Sequence, residues 1–346
     1  MPGESIFFGL DVAIMGAGRM GRRHISVIHK LGLKLVAIAD VSLDSLKETQ
    51  REHDLKGTLL FEKPEALYDS GVPDCLIVAT TADSHCALTC MAAERGVKYI
   101  LVEKPLAVSL EQCDKMITAC TKHGARLSVN HQMRFMDQYA RPKALLESDA
   151  YGGFTSMTVV AGNFGMSMNG THYVEAFRYM AGEDPVEVTA WFSPVAVPNP
   201  RGAQFEDRAG ALRAVTASGK RLYMEIGADQ GHGLQVTYAG RNGLIGVNEF
   251  TGEMLASVRQ AQFRSLPTTR YGMPADLTRE AIAPVELIDS TSAVLSALLS
   301  NQNVVTAQQG KLAVMVLAAA YKSAENGGLP VRLDQELDPG RRFPWA

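Results

Sequence analysis

Six residues near the start of the chain, Gly16-Ala17-Gly18-Arg19-Met20-Gly21, have the spacing G-x-G-x-x-G. Glycine is common, so the spacing gains meaning only from its setting. It follows the apolar run Asp11 to Met15 (DVAIM) and opens a helical pattern from Met20 to Leu31. In that setting Gly16 permits the tight turn, Gly18 lets the backbone approach a pyrophosphate, and Gly21 lets helix and sheet pack closely. The anion then rests on the helix N-terminus, where unpaired N–H groups and the helix dipole favour negative charge. Asp40 closes the next apolar run, Leu33 to Ala39. Its carboxylate suits the hydroxyls of an adenosine ribose and repels a 2′-phosphate, so NAD is favoured over NADP. The plainer alternative is a glycine turn with Asp40 capping the following helix.

Three later groups extend the series: Ala79-Thr80-Thr81 with His85, then Glu103-Lys104-Pro105-Leu106-Ala107, then Asn130-His131-Gln132 with Arg134-Phe135. Together with the glycine fingerprint they resemble the family of glucose–fructose oxidoreductase, inositol dehydrogenase and the rhizopine catabolism protein (Gfo/Idh/MocA). The resemblance covers essentially the whole chain, including Ala319 to Val331, which is similar to the family's final helix and strand. It implies hydride transfer between a nicotinamide and a secondary alcohol of a sugar, inositol or nucleotide sugar. It assigns Lys104 to the reacting hydroxyl, and Glu103 and Pro105, often cis in such proteins, to the nicotinamide pocket. Thr80, Thr81 and His85 would line the cofactor side of the cleft, with Asn130 and Arg134 near nicotinamide and substrate. Such a lysine can stabilise a developing alkoxide and, if its pKa is lowered, share in proton removal. Taken alone, Lys104 would read as a solvated surface lysine.

The resemblance also implies an Asp four residues before a His, with the His as proton acceptor. His172 matches the histidine, but Met168 stands where the aspartate is expected. Asn163 or Asn169 could replace the missing acceptor as a neutral group, and Met168 could pack on an apolar part of the ligand. Glu175 lies on the helical face of His172 and reads as fixing the helix or the ring. Outside the family match, His172 would be a helix histidine with a structural hydrogen bond. His24 and His29 read as surface residues. His131 has two equal readings, cleft or core, and Tyr173 and Arg178 could face substrate or another subunit.

The elements that must position these groups change character along the chain. Up to Val129, apolar strands alternate with helices of about ten to fifteen residues, the signature of βαβ units and a parallel sheet. Beyond Asn130 come a helix over Gln138 to Glu147, a strand over Thr155 to Asn163 and a helix over Thr171 to Ala181. Strand-like runs follow at Val186 to Phe192, Gly210 to Ala217, Arg221 to Gly227, Gly233 to Ala239 and Gly243 to Asn248, without helices between them. Helical patterns over Glu286 to Leu299 and Gln309 to Ser323 close the chain. The expected fold is α/β: a doubly wound Rossmann domain over residues 1–129, then an α+β domain over 130–346, whose C-terminal helix is expected to pack back near the Rossmann domain. The second domain holds a large open, mostly antiparallel sheet for substrate binding and oligomerisation.

The 346 residues are 46% hydrophobic and 21% charged, with a formal net charge of −3. That balance gives no reason to expect nucleic acid or an acidic membrane surface as partner. No run approaches the roughly 18 to 20 apolar residues that span a bilayer, and Met1 to Leu10 makes a poor signal peptide. Cys75, Cys86, Cys90, Cys113 and Cys120 form no Cys-x-x-Cys pair and fit reduced thiols in a cytoplasmic protein. Cys86 and Cys90 share a helical face but lack further ligands, so no metal site is expected. The expected partners are a small polyhydroxylated substrate and further copies of the chain, as a homodimer or homotetramer through the second domain's sheet. Two other functions use the same residues: redox-assisted hydrolysis or elimination with recycled NAD, and a non-catalytic NAD-binding sensor.

Overall fold

The computed structural model describes residues 9–162, 165–197, 199, 201–227, 229–231, 233–267, 272–282, 286–335 and 337–345. Two compact units share the chain. One comprises Met1–Gln132, Glu286–Val314 and Asp338–Ala346, and the other Met133–Val285 and Met315–Leu337.

In the first unit the order is β1 (Asp11–Met15), α1 (Arg19–Lys30), β2 (Lys34–Ala39), α2 (Leu43–Glu52), β3 (Leu59–Phe61), α3 (Pro64–Leu67), β4 (Cys75–Val78), α4 (Ala82–Glu94), β5 (Tyr99–Val102), α5 (Leu110–His123) and β6 (Arg126–Val129). The six strands are parallel in the order β3-β2-β1-β4-β5-β6, the expected doubly wound arrangement. Successive residues such as Leu76, Ile77 and Val78 are all fully buried, so both sheet faces are covered. This is why these strands read as continuous apolar runs. Serine side chains start two of the helices: Ser42 Oγ accepts the Ser45 N–H and Ser109 Oγ the Gln112 N–H, each at 3.2 Å.

The second unit begins with α6 (Asp137–Leu146), β7 (Phe154–Gly162), α7 (Met166–Ala181), β8 (Pro185–Val197), β9 (Asp207–Thr216), β10 (Arg221–Gly227), β11 (Gln235–Gly240), β12 (Gly243–Asn248), β13 (Glu253–Arg259) and β14 (Ala275–Ala281). Along the chain there follow α8 (Leu287–Ser300), which belongs to the first unit, α9 (Ala307–Glu325), divided between the two units, and β15 (Val331–Arg332) of the second. The nine strands lie in the order β14-β13-β12-β11-β7-β10-β9-β8-β15, antiparallel except for β7 beside β10. Their side chains alternate: Leu222, Met224 and Ile226 are buried while Tyr223 is exposed. Trp191, Leu244, Leu255 and Leu277 are exposed as well.

Three features differ from the sequence reading. Helix α8, expected in the second domain, belongs to the first unit, where its apolar residues meet α1, β5 and β6. Strands β13 and β14 went unread, and β14 is exposed along nearly its whole length, so it has no buried stripe to betray it. Its Asp276, Arg279 and Glu280 protect a sheet edge against further pairing. Helix α7 starts at Met166 rather than Thr171. Among the described residues no helix is long and apolar enough to cross a membrane.

Inside the second unit, Glu249 accepts hydrogen bonds from the phenols of Tyr139 and Tyr173. Burial pushes its carboxyl up to about 7, outweighing those two bonds. An acid whose pKa is higher folded than unfolded makes the fold bind extra protons between the two values, so stability falls as pH rises from about 4.5 to about 7. Thermal melts should therefore show Glu249→Gln more stable than wild type at pH 8, with the gap closing towards pH 5. A gap independent of pH would disprove the assignment.

Candidate functional site

The carboxyl edge of the parallel sheet gathers most of the residues singled out in the sequence. Ala39, Met15, Val78, Val102 and Val129 are register partners across five neighbouring strands. The residues that follow them, Asp40, Gly16, Ala79, Glu103 and Asn130, therefore stand in one row. Backbone bonds fasten that row: Gly16 N–H to Ala39 O at 2.8 Å, Ala79 N–H to Met15 O at 2.7 Å, Glu103 N–H to Val78 O at 2.9 Å and Asn130 N–H to Val102 O at 2.8 Å.

The glycine turn has the shape a dinucleotide requires. Gly16 has φ +104°, and a Cβ there would come within 2.5 Å of Ala79 O. A Cβ on Gly21 would lie 1.8 Å from Gly16 O, so α1 can approach β1 only with glycine at that position. Gly18 caps α1 in extended backbone with no side-chain bond, and the first turn, which includes Arg19 and Met20, holds no acidic residue. A Cβ on Gly18 would meet nothing within 4 Å among the described residues. The N–H groups of a helix's first turn have no partner within the helix, and at a glycine cap they suit a diphosphate. Asp40 accepts the N–H of Ala17 at 2.6 Å and of Ser42 at 2.7 Å, one on each oxygen. Each oxygen retains lone-pair capacity for a ribose hydroxyl.

After β4, Thr80 and Thr81 stay half-buried while His85, expected to line the cleft, is fully buried. The His85 ring lies 3.0 Å from Pro105 O and 3.3 Å from Thr80 O, and in its neutral form its single N–H donates to one of the two carbonyls. Burial pushes its pKa down. The Lys104–Pro105 peptide is cis, as the resemblance implied, and Lys104 is half-buried.

Glu103 is buried, and its Oε1 accepts from Asn130 Nδ2 at 2.8 Å and lies 2.8 Å from His24 Nε2. Burial would raise its pKa, but the bonds and charges of His24, Asn130 and Lys104 together outweigh that and hold the carboxyl down at about 2. His24, read from sequence as a surface residue, is thus fully buried, a correction with a clear cause. It lies three residues after Gly21 and one before Ile25, on the inward face of α1, so helical periodicity could have found it. His131 is buried beside Asn130.

The remaining candidates lie in the second unit. Asn169, half-buried, and His172, buried, sit in the first two turns of α7. Arg134, expected to meet substrate, is buried with its guanidinium on Glu175, which also accepts from Arg178 Nε at 2.9 Å. Glu175 therefore fixes its helix. Tyr173 is buried with its hydroxyl 3.5 Å from Glu249. Asn163 lies outside the described residues. The residue the sequence did not reveal is Asp207, at the start of β9. Its carboxylate accepts the Ser167 and Met168 N–H groups at 2.7 Å each and the Arg208 N–H at 2.9 Å. It caps α7 from another strand, and a Cβ on Gly165 would fall 2.0 Å from its Oδ2. Burial pushes this carboxyl up despite the three bonds.

Comparison with known proteins agrees with this geometry. Residues 10–131 match the GFO_IDH_MocA profile, described as an oxidoreductase family with an NAD-binding Rossmann fold. An inositol 2-dehydrogenase of Pseudomonas savastanoi pv. phaseolicola is 26% identical, over 95% of this chain and 98% of that one. An uncharacterised oxidoreductase of Bacillus subtilis, YrbE, is 26% identical, but its match spans 59% of this chain and only 62% of YrbE. Among solved structures, an oxidoreductase from Agrobacterium radiobacter in complex with NAD+, L-tartaric acid and magnesium shares the fold. Its TM-score is 0.77 at 21% identity, covering 94% of this chain and 98% of that one.

Replacing Asp207 by Ala removes the cap of α7. Urea unfolding should show a loss of about 1–2 kcal/mol, and an unchanged midpoint would show that the contact does not hold the helix.

Proposed function

We propose that the chain belongs to the Gfo/Idh/MocA oxidoreductase family, whose profile matches residues 10–131, and that it is an NAD-dependent dehydrogenase acting on a secondary alcohol, or the matching ketone, of a sugar-, inositol- or nucleotide-sugar-like substrate. The carrying observation is the position of Glu103-Lys104-Pro105 in the same row as the glycine turn, where open α/β sheets receive their ligands. Bound NAD supplies the hydride acceptor. Lys104, a half-buried cation, stabilises the negative charge that builds on the substrate oxygen. His172 takes the hydroxyl proton on a ring nitrogen. Asn169 and Asn163 bind hydroxyls, while Asn130, whose Nδ2 donates to Glu103, and Arg134, engaged with Glu175, orient their segments. Met168 offers no charge, so the substrate meets a thioether where the family resemblance implies a carboxylate.

The exposed apolar residues of the nine-stranded sheet, among them Trp191, Leu244, Leu255 and Leu277, support assembly of two or four copies through that face.

Turnover is followed as NADH formation on a panel of free sugars, inositols, sugar acids and nucleotide sugars. Lys104→Met should lower it about a hundredfold or more while NAD affinity stays within about threefold; wild-type turnover in this variant would refute the role of Lys104. For assembly, sedimentation should give a dimer or tetramer for wild type and a smaller species for Trp191→Glu. A monomeric wild type would refute that part.

A further inference from the structure

The stretch from Leu106 to Ser109 is buried throughout yet belongs to no helix or strand. Buried backbone groups outside regular structure must find partners elsewhere. Some are local: the Val108 N–H donates to Gln112 Oε1 at 3.4 Å, and Ser109 Oγ caps α5. Two more come from Asp338–Trp345, which lies beyond Val331, where the resemblance to the family's final strand ends. The Phe343 N–H donates to Val108 O at 2.8 Å. Pro339 O accepts the Glu111 N–H at 2.8 Å, a first-turn donor that α5 cannot pair within itself. Two aromatic rings fasten the stretch that makes these bonds. Phe343 and Trp345 are 5% and 2% exposed, and their rings stack with centroids 4.4 Å apart. Buried rings of this size hold a chain segment through their apolar area, so side chains anchor Asp338–Trp345 while its backbone grips the start of α5.

Lys104 lies between two held points. Glu103, before it, donates its N–H to Val78 O at 2.9 Å and is fixed to the sheet. Val108, four residues after it, is fixed to Phe343. Releasing Val108 frees the buried stretch behind Lys104 to shift, and a small displacement of a group that meets the reacting atoms costs rate steeply. We propose that Asp338–Trp345 is a clamp for the Lys104 loop, with Phe343 and Trp345 as positioning residues that act on turnover through that loop. The proposal rests on the role given above to Lys104.

The test uses the full chain carrying Trp345→Ala, which removes the ring stacked on Phe343, or Trp345→Phe, which keeps an aromatic ring there. Amide hydrogen exchange is read over residues 104–112 and, as a control, over β1 and α1. In Trp345→Ala, exchange over 104–112 should quicken about tenfold or more while β1 and α1 keep their wild-type rates. Its kcat should fall about tenfold, with the NAD dissociation constant within about threefold of wild type. Trp345→Phe should restore both exchange and kcat. If Trp345→Ala does not fold, Trp345→Leu, which keeps apolar bulk without the stacked ring, decides in its place. Unchanged exchange over 104–112, faster exchange with unchanged kcat, or equal quickening in β1 and α1 overturns the clamp. Wild type forming no NADH on any substrate overturns the dehydrogenase reading instead, and the exchange over 104–112 still decides the clamp.

Discussion

The structure of the first unit depends on five neighbouring parallel strands ending in register. Each strand's next residue donates its N–H to the strand beside it, so Asp40, Gly16, Ala79, Glu103 and Asn130 are set by the sheet rather than by their own loops. Side chains on a rigid edge need less ordering when a ligand arrives than side chains on free loops. The glycine turn and Lys104 come from strands separated in sequence by more than one βαβ unit, and the register gives them a common rim.

Charge on that rim is balanced locally. A buried carboxylate is tolerable only when its acceptor capacity is met, and Glu103 meets this condition through His24 and Asn130. One strand away, buried His85 lies beside the carbonyls of Pro105 and Thr80. Buried imidazoles thus stand next to Glu103 and Pro105, the two chain neighbours of Lys104. In the second unit Arg134, Glu175 and Arg178 form a separate charged cluster that ties the segment after Gln132 to α7.

Legibility in the sequence followed the physics of burial. Strands covered on both faces appear as unbroken apolar runs, which made β1, β2, β4, β5 and β6 readable, along with the fingerprint between β1 and α1. Strand β14 carries no buried stripe, and edge strands of that kind are invisible to periodicity. Helix α8 was recognised as a helix but given to the wrong unit, because an apolar stripe states that a helix is buried and not against what. His24 was misjudged by residue type, when its position on the Gly21–Ile25 face was the better guide. Most of the rim residues were nameable from motif and resemblance; the bonds that orient them were not.

The cap of α7 has one more consequence. Its carboxylate arrives from Asp207, forty residues beyond Ser167, while the helix itself opens on Gly165 and carries Gly170 in its second turn. Glycine is a poor helix former, and a segment so equipped gains little by coiling alone. The frame that carries His172 is therefore steadied from β9, so a change in that strand reaches His172 through the cap without touching its own helix.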